Sequence, residues 1–382
     1  MTDRGPKIVH VITDLDIGGA EMALMRLVSN SSSNSMRHHV VSLKVGGILE
    51  DEIRAKGVPV TAIGLQGPRG FGSAIFRLAT LLRTERPDLI VTWLYHADLL
   101  GTLANSLTVR APLMWNIRCA DMDLSKYSAL TRALPRILAK LSRRASAIVT
   151  NSHVGRRVHE AYGYRARHWL TIPNGFDLST FRPDSRARAR MREELGVRPQ
   201  TLLVGLIARV DPMKGHDTFL AAATQVANAV PSARFLLIGR GTDRQEFRET
   251  VLAKGLPEEK FLLLGERRDI PSVLSALDLN VSASRTEGFS NTIAEAMAVE
   301  VPCVATDVGD SAIIVGNTGR IVPKESPRDL AEAMIEILTL SGPERAALGT
   351  AARNRIAANY GAEAIGQEYA KTFAGVIRGE IP

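Results

Sequence analysis

The protein has 382 residues and a formal net charge of +8; 45% of its residues are apolar and 5% aromatic. That length favours two domains over one core, and no run of about 18 apolar residues offers a membrane-spanning helix. No basic stripe interleaved with aromatic residues is present, which sets nucleic-acid binding aside and leaves an anionic membrane surface or an ordinary basic surface as the meaning of the charge.

Met1 to Lys7 is polar and runs straight into a strand, unlike a signal peptide. Ile8-Val9-His10-Val11-Ile12 is an apolar run of the kind that forms a parallel-sheet strand. The segment after it holds Gly18 and Gly19, and a helix with Leu24, Leu27 and Val28 on one face follows. The glycine pair reads either as a turn and helix cap or as a loop whose backbone comes close to a ligand. Asn30 to Met36 is a polar loop. Strands at 39–43, 58–63, 89–93, 113–117 and 147–150 then alternate with helices at 49–55, 73–84 and 99–107. This is the pattern of a doubly wound parallel α/β sheet, in which ligands gather beyond the carboxyl ends of the strands. His96 and Asp98 follow one strand end, and Asp98 is better placed to cap the next helix. Arg118 follows another and, as a permanent cation, suits a phosphate or carboxylate. Residues 131–146 are the most basic helix candidate, with Arg132, Arg136, Lys140, Arg143 and Arg144 beside Leu134, Ile137, Leu138 and Leu141. That helix reads as core-packed with a solvated basic face, or as a membrane-surface helix.

Pro173-Asn174-Gly175 breaks the pattern ahead of an arginine-rich segment, Arg182 to Arg198, that marks a domain boundary. A strand at 202–207 restarts it. Arg209 and Lys214 flank a turn made by Asp211-Pro212, so two cations stand at the carboxyl end of that domain's first strand. They read as solvated loop charges or as ligands for an anion. Strands at 234–239, 261–265 and 301–306 follow, and helices at 327–340, 343–357 and 362–376 finish the chain. The two cysteines, Cys119 and Cys303, fall in different domains and read as reduced thiols.

The apolar run Leu277–Val281 leads into a polar loop and then a helix beginning near Thr292. A strand, a glycine-containing loop and a helix N-terminus form a ready anion site. Glu287 lies just before that N-terminus and Glu295 about one turn inside it. Glu295 sits among Ala294, Ala296 and Met297, so it needs a partner, either ligand hydroxyls or an internal hydrogen bond. Glu287-Gly288-Phe289 with Glu295 resembles the Glu-x7-Glu motif of the retaining glycosyltransferases of family 4, which have the GT-B fold. The resemblance extends from Gly18-Gly19, through Arg209 and Lys214, to Thr318-Gly319.

The resemblance implies an α/β chain of two Rossmann-like parallel-sheet domains with a cleft between them. The first spans 1–178, with a last helix at about 361–382 crossing back to it, and the second spans 179–360. It implies transfer of a sugar from a nucleotide diphosphate sugar to an acceptor hydroxyl, lipid-linked or saccharide, with retention of configuration, as in bacterial polysaccharide, lipopolysaccharide or glycolipid assembly. Arg209 and Lys214 would hold the donor diphosphate. Gly288, Phe289 and Ser290, with Asn291 and Thr292 at the helix start, would hold the donor sugar and distal phosphate. Glu295 would bind the ribose and Glu287 the sugar. Gly18 and Gly19 would border acceptor and donor phosphate, with His96 and Arg118 on the acceptor side. Many family members carry a histidine where Arg118 stands, so no catalytic histidine is carried over, and the identities of donor and acceptor stay open. No cofactor and no metal are implied, and Asp121-Met122-Asp123 reads as loop. The expected location is cytoplasmic, with peripheral contact at an anionic membrane through 131–146. An epimerase or phosphorylase on the same scaffold, or a catalytically idle nucleotide-sugar-binding partner, are the alternatives.

Overall fold

The computed structural model describes residues 5–29, 36–108, 110–120, 129–255 and 257–381. Most of the expected 30–36 loop, Asp121-Met122-Asp123 and residues 1–4 lie outside them. The chain divides into two compact units, Met1–Gly175 with Ala362–Pro382, and Phe176–Gly361.

The first unit holds β1 (Lys7–Ile12), β2 (Arg37–Ser42), β3 (Val60–Ala62), β4 (Leu89–Trp93), β5 (Leu113–Ile117), β6 (Ala147–Thr150) and β7 (Trp169–Thr171). They pair in parallel in the order β3-β2-β1-β4-β5-β6-β7. The second unit holds β8 (Leu202–Ile207), β9 (Ala233–Ile238), β10 (Phe261–Leu263), β11 (Leu279–Ser282), β12 (Cys303–Thr306) and β13 (Arg320–Val322). They pair in parallel in the order β10-β9-β8-β11-β12-β13. Helices cover both faces of each sheet, so every residue of β4 and β5 is buried, which is why these strands read as continuous apolar runs. Each sheet has a core on each face. Strand order reverses between β1 and β4 and between β8 and β11, the two topological switch points. The last helix, Ala362–Arg378, belongs to the first unit, where Ile365, Tyr369, Phe373 and Val376 form its buried stripe.

The arginine-rich segment 182–198 lies inside the second unit. Most of it is the helix Ser185–Glu194, capped by the Asp184 carboxylate, which accepts from the N–H groups of Arg186 and Ala187 at 2.9 Å. Arg188 and Arg192 pair with Asp278 at 2.7 and 3.2 Å and clamp this helix to the turn before β11. The units divide at Gly175–Phe176, just ahead of this segment. Two expectations, both on the helix after β4, are corrected. The helix after β4 starts at Leu94, not Leu99, because Leu94 turns the chain directly with φ +70°. Asp98 therefore lies inside the helix. It caps nothing, is fully buried and accepts from Thr92 Oγ1 at 2.5 Å.

The basic helix runs Ala129–Leu141 and continues as a 3-10 turn, Ser142–Arg144. Leu134 and Leu138 are buried in the first unit's core, while Arg132, Arg136 and Lys140 are exposed. It is thus a core-packed helix with a solvated basic face. Cys119 and Cys303 are both free thiols. Among the described residues no helix is long and apolar enough to cross a membrane.

Candidate active site

In the second unit the loops after β8, β11 and β12 converge. The Asp211 carboxylate accepts from Met213 N at 2.9 Å and starts the 3-10 turn Pro212–Lys214. The turn ends at Gly215, where φ is +64° and a Cβ would collide with the carbonyl oxygen of Ala283, just past β11. Only glycine lets the two loops lie this close. Lys214 Nζ reaches Glu287 Oε1 at 2.5 Å, and Ser284 Oγ donates to the same oxygen at 2.8 Å. Arg285 binds the turn from the other side. Its N–H donates to Met213 O at 2.8 Å and its guanidinium to Pro212 O at 2.9 Å. The same guanidinium pairs with Asp217 at 2.7 Å and Glu325 at 2.9 Å. From the third loop, Asp310 N donates to Gly288 O at 3.0 Å.

The helix Asn291–Ala298 begins at this junction, and the side chain of its N-cap residue, Ser290, makes no capping bond. Phe289 is a core side chain, stacked on Phe176 at 6.0 Å and edge-on to Tyr360 at 5.5 Å. What the loop can offer a ligand at that position is therefore backbone. Asn291, Thr292 and Glu295 are half-buried. Of the two expected cations, Lys214 joins the motif. Arg209 is half exposed and pairs with Asp211 at 3.3 Å.

In the first unit the Gly18-Gly19 loop leads into the helix Gly19–Ser29. A Cβ on Gly18 would collide with the Glu21 carboxyl, which lies over the loop. Burial pushes that carboxyl up to about 7, against hydrogen bonds from the backbone of Glu21 and Ala20. The loop expected to border acceptor and donor phosphate thus carries an acid of its own helix. His96 is half-buried, edge-on to Phe71 at 6.5 Å, and burial lowers its pKa, with Lys44 adding to the effect. Arg118 is engaged within the unit. It donates to Asn174 Oδ1 at 2.7 Å and to the Tyr369 hydroxyl, and lies over the rings of Trp93 and Tyr369 at 5.0 and 5.7 Å.

Sequence reasoning missed Glu21, Ser284, Arg285 and Tyr369. Glu21 had a signal, being an acid in the first turn of a helix. Arg285 had none, because its partners come from residues 212–217 and 325. Among the described residues no group of three or more His, Cys, Asp or Glu side chains could hold a metal.

Residues 17–180 match the model described as Glycosyltransferase Family 4, and residues 198–340 the model described as Glycosyl transferases group 1. A lipopolysaccharide core biosynthesis mannosyltransferase of Rhizobium meliloti (strain 1021) is 30% identical over 339 residues, covering 85% of this chain and 89% of the relative. The 2-deoxystreptamine N-acetyl-D-glucosaminyltransferase of Streptomyces fradiae is 26% identical, covering 91% of this chain and 89% of its own. Among solved structures, Anabaena HepE in complex with UDP has a TM-score of 0.83 at 24% identity, over 97% of this chain and 100% of that one, a likeness of fold. With a model matched in each half and a relative aligned over most of both chains, the protein belongs to glycosyltransferase family 4 and is a hexosyltransferase with the GT-B fold.

Proposed function

We propose that the protein moves a sugar from a nucleotide diphosphate sugar to an acceptor hydroxyl with retention of anomeric configuration. The observation that carries this reading is the Lys214–Glu287 contact. It joins residues 73 positions apart at the carboxyl ends of neighbouring strands, on the loop that opens the helix Asn291–Ala298. A cation and a helix N-terminus at one place suit a pyrophosphate. Lys214, with Arg209 on the same loop, stabilises the charge that grows on the leaving phosphate as the bond from the sugar C1 to oxygen breaks. Backbone N–H groups of Gly288, Phe289 and Ser290, with Asn291 and Thr292, hold the donor sugar and distal phosphate. Glu287 accepts from a sugar hydroxyl and Glu295 from the ribose hydroxyls. The acceptor oxygen bonds C1 on the face the phosphate leaves, and its proton passes to the departing phosphate oxygen. Lys214, Arg209 and the helix dipole supply the positive charge, so the reaction is metal-independent.

The acceptor is lipid-linked or saccharide, a reading supported by the names of the relatives. Gly18, Gly19, His96 and Arg118 belong to its side. The exposed Arg132, Arg136 and Lys140 support a peripheral contact with an anionic membrane at its cytoplasmic face.

The test is incubation with a panel of UDP- and GDP-sugars and candidate acceptors, following release of nucleoside diphosphate and the anomeric configuration of the product. Retained configuration, with full activity in EDTA, is expected. An inverted product refutes the stereochemistry. Epimerised donor with no acceptor present favours an epimerase. Failure to bind or turn over any donor overturns the assignment.

A further inference from the structure

Among the described residues Arg118 is a cation without a counter-charge. Two of its guanidinium nitrogens are spent on Asn174 and Tyr369. Its Nε–H is buried with no hydrogen-bond partner, and among the described residues no carboxylate pairs with it. The rings of Trp93 and Tyr369 offset part of the charge. An uncompensated guanidinium in such a place is nonetheless costly, and a buried charge normally has a partner of opposite sign.

Beside it is a cavity of about 20 Å³, lined by Arg118, Arg26, Asn174, Ile365, Gly366 and Tyr369 among others. Ile365 and Gly366 belong to the first turns of the helix Ala362–Arg378, whose N-terminal end carries partial positive charge. The acid of that first turn, Glu363, is exposed to solvent. Two guanidinium groups and a helix N-terminus therefore raise the potential around one small space. Its size sets the occupant, since about 10–15 Å³ of such volume holds one water-sized particle. A phosphate or sulfate does not fit.

We propose that this cavity binds one monatomic anion, chloride among the common ones, which neutralises Arg118. The ion would tie the end of β5 to Pro173–Gly175 and the last helix, because all three line the cavity. This site is independent of the donor reading, as it uses neither Lys214 nor Glu287, and shares only Arg118 with the proposed acceptor side.

The experiment is thermal unfolding of the full chain at constant ionic strength, with chloride or bromide replacing gluconate. A rise of about 3 °C at a tenfold excess over Kd, growing with the logarithm of halide concentration, is expected, because an ion bound only to the folded state stabilises it by mass action. Arg118→Met, which keeps an apolar stem and removes the charge, should abolish the rise. Crystals of the unaltered protein soaked in bromide should show an anomalous peak within hydrogen-bond reach of the Arg118 guanidinium. If Arg118→Met does not fold, that peak decides. No halide-dependent shift, a shift that survives in Arg118→Met, or a bromide peak only elsewhere overturns the proposal.

Discussion

Lys214 and Glu287 form the contact on which the proposed chemistry turns. Lys214→Ala removes the cation from the leaving group, and turnover should fall by roughly 10²-fold or more. A loss below tenfold in steady-state assays, with an unchanged melting curve, would refute the role. Glu295→Gln should chiefly weaken donor affinity, and calorimetric titration with the donor nucleotide checks this. Residues also set the pH response. Trp93 Nε1–H donates to His10 Nδ1 at 3.3 Å, which leaves His10 Nε2 to donate to His38 Nδ1 at 2.9 Å. His159 Nδ1 donates to Gly155 O at 2.7 Å and its Nε2 accepts from the Tyr95 hydroxyl at 2.8 Å. Burial pushes His38, His159 and His216 down from 6.5 to about 4, and His10 well below 6.5. Between those values the unfolded chain binds more protons than the folded one. Stability from this source is complete above about pH 6.5 and is lost as the pH falls towards about 4. Glu21, Asp98 and Glu368, whose carboxyls burial raises, work the other way, but with His96 also lowered, five histidines outweigh three acids. The urea midpoint should therefore fall from about pH 6.5 to about pH 4.5, and a flat or rising midpoint there contradicts the assignment.

At the scale of elements, the turn that presents Lys214 is held by a neighbouring loop rather than by its own bonds alone. Arg285→Gln loses the charged hydrogen bond to Pro212 O and the ion pair with Asp217, and frees Lys214 to wander. Affinity for a nucleoside diphosphate should drop roughly tenfold, while affinity for the bare nucleoside stays level. Equal loss of both would mean a general structural defect instead. Gly215→Ala should be worse for the fold. The left-handed backbone alone costs about 1–2 kcal/mol, before the clash with Ala283, and calorimetry should show a melting temperature lower by several degrees. Strands and most helices were legible because burial on both sheet faces leaves continuous apolar runs and one-sided burial leaves a helical stripe. The helix Ser185–Glu194 was not, because its arginines look solvated in sequence and become staples only once Asp278 is in place.

For the molecule as a whole, two units with separate cores predict a localised response to the donor. Hydrogen exchange with a nucleoside diphosphate present should slow in residues 208–217 and 282–298 and leave the helix His153–Ala161 unchanged. Protection confined to the first unit would refute the placing of the diphosphate. Membrane contact, if made through 131–146, is electrostatic, since Leu134 and Leu138 are committed to the core. Co-sedimentation with anionic vesicles should vanish near 1 M salt, where screening acts within about 3 Å, and binding that persists there would contradict it. The sequence by itself determined the two parallel sheets and the family motif, because periodicity and motif spacing are local properties of the chain. Tertiary structure alone decided that Lys214 meets Glu287 and that Arg118 is enclosed by Trp93 and Tyr369. Those pairings join residues that only strand order and the returning last helix bring within reach, and no local pattern encodes that order.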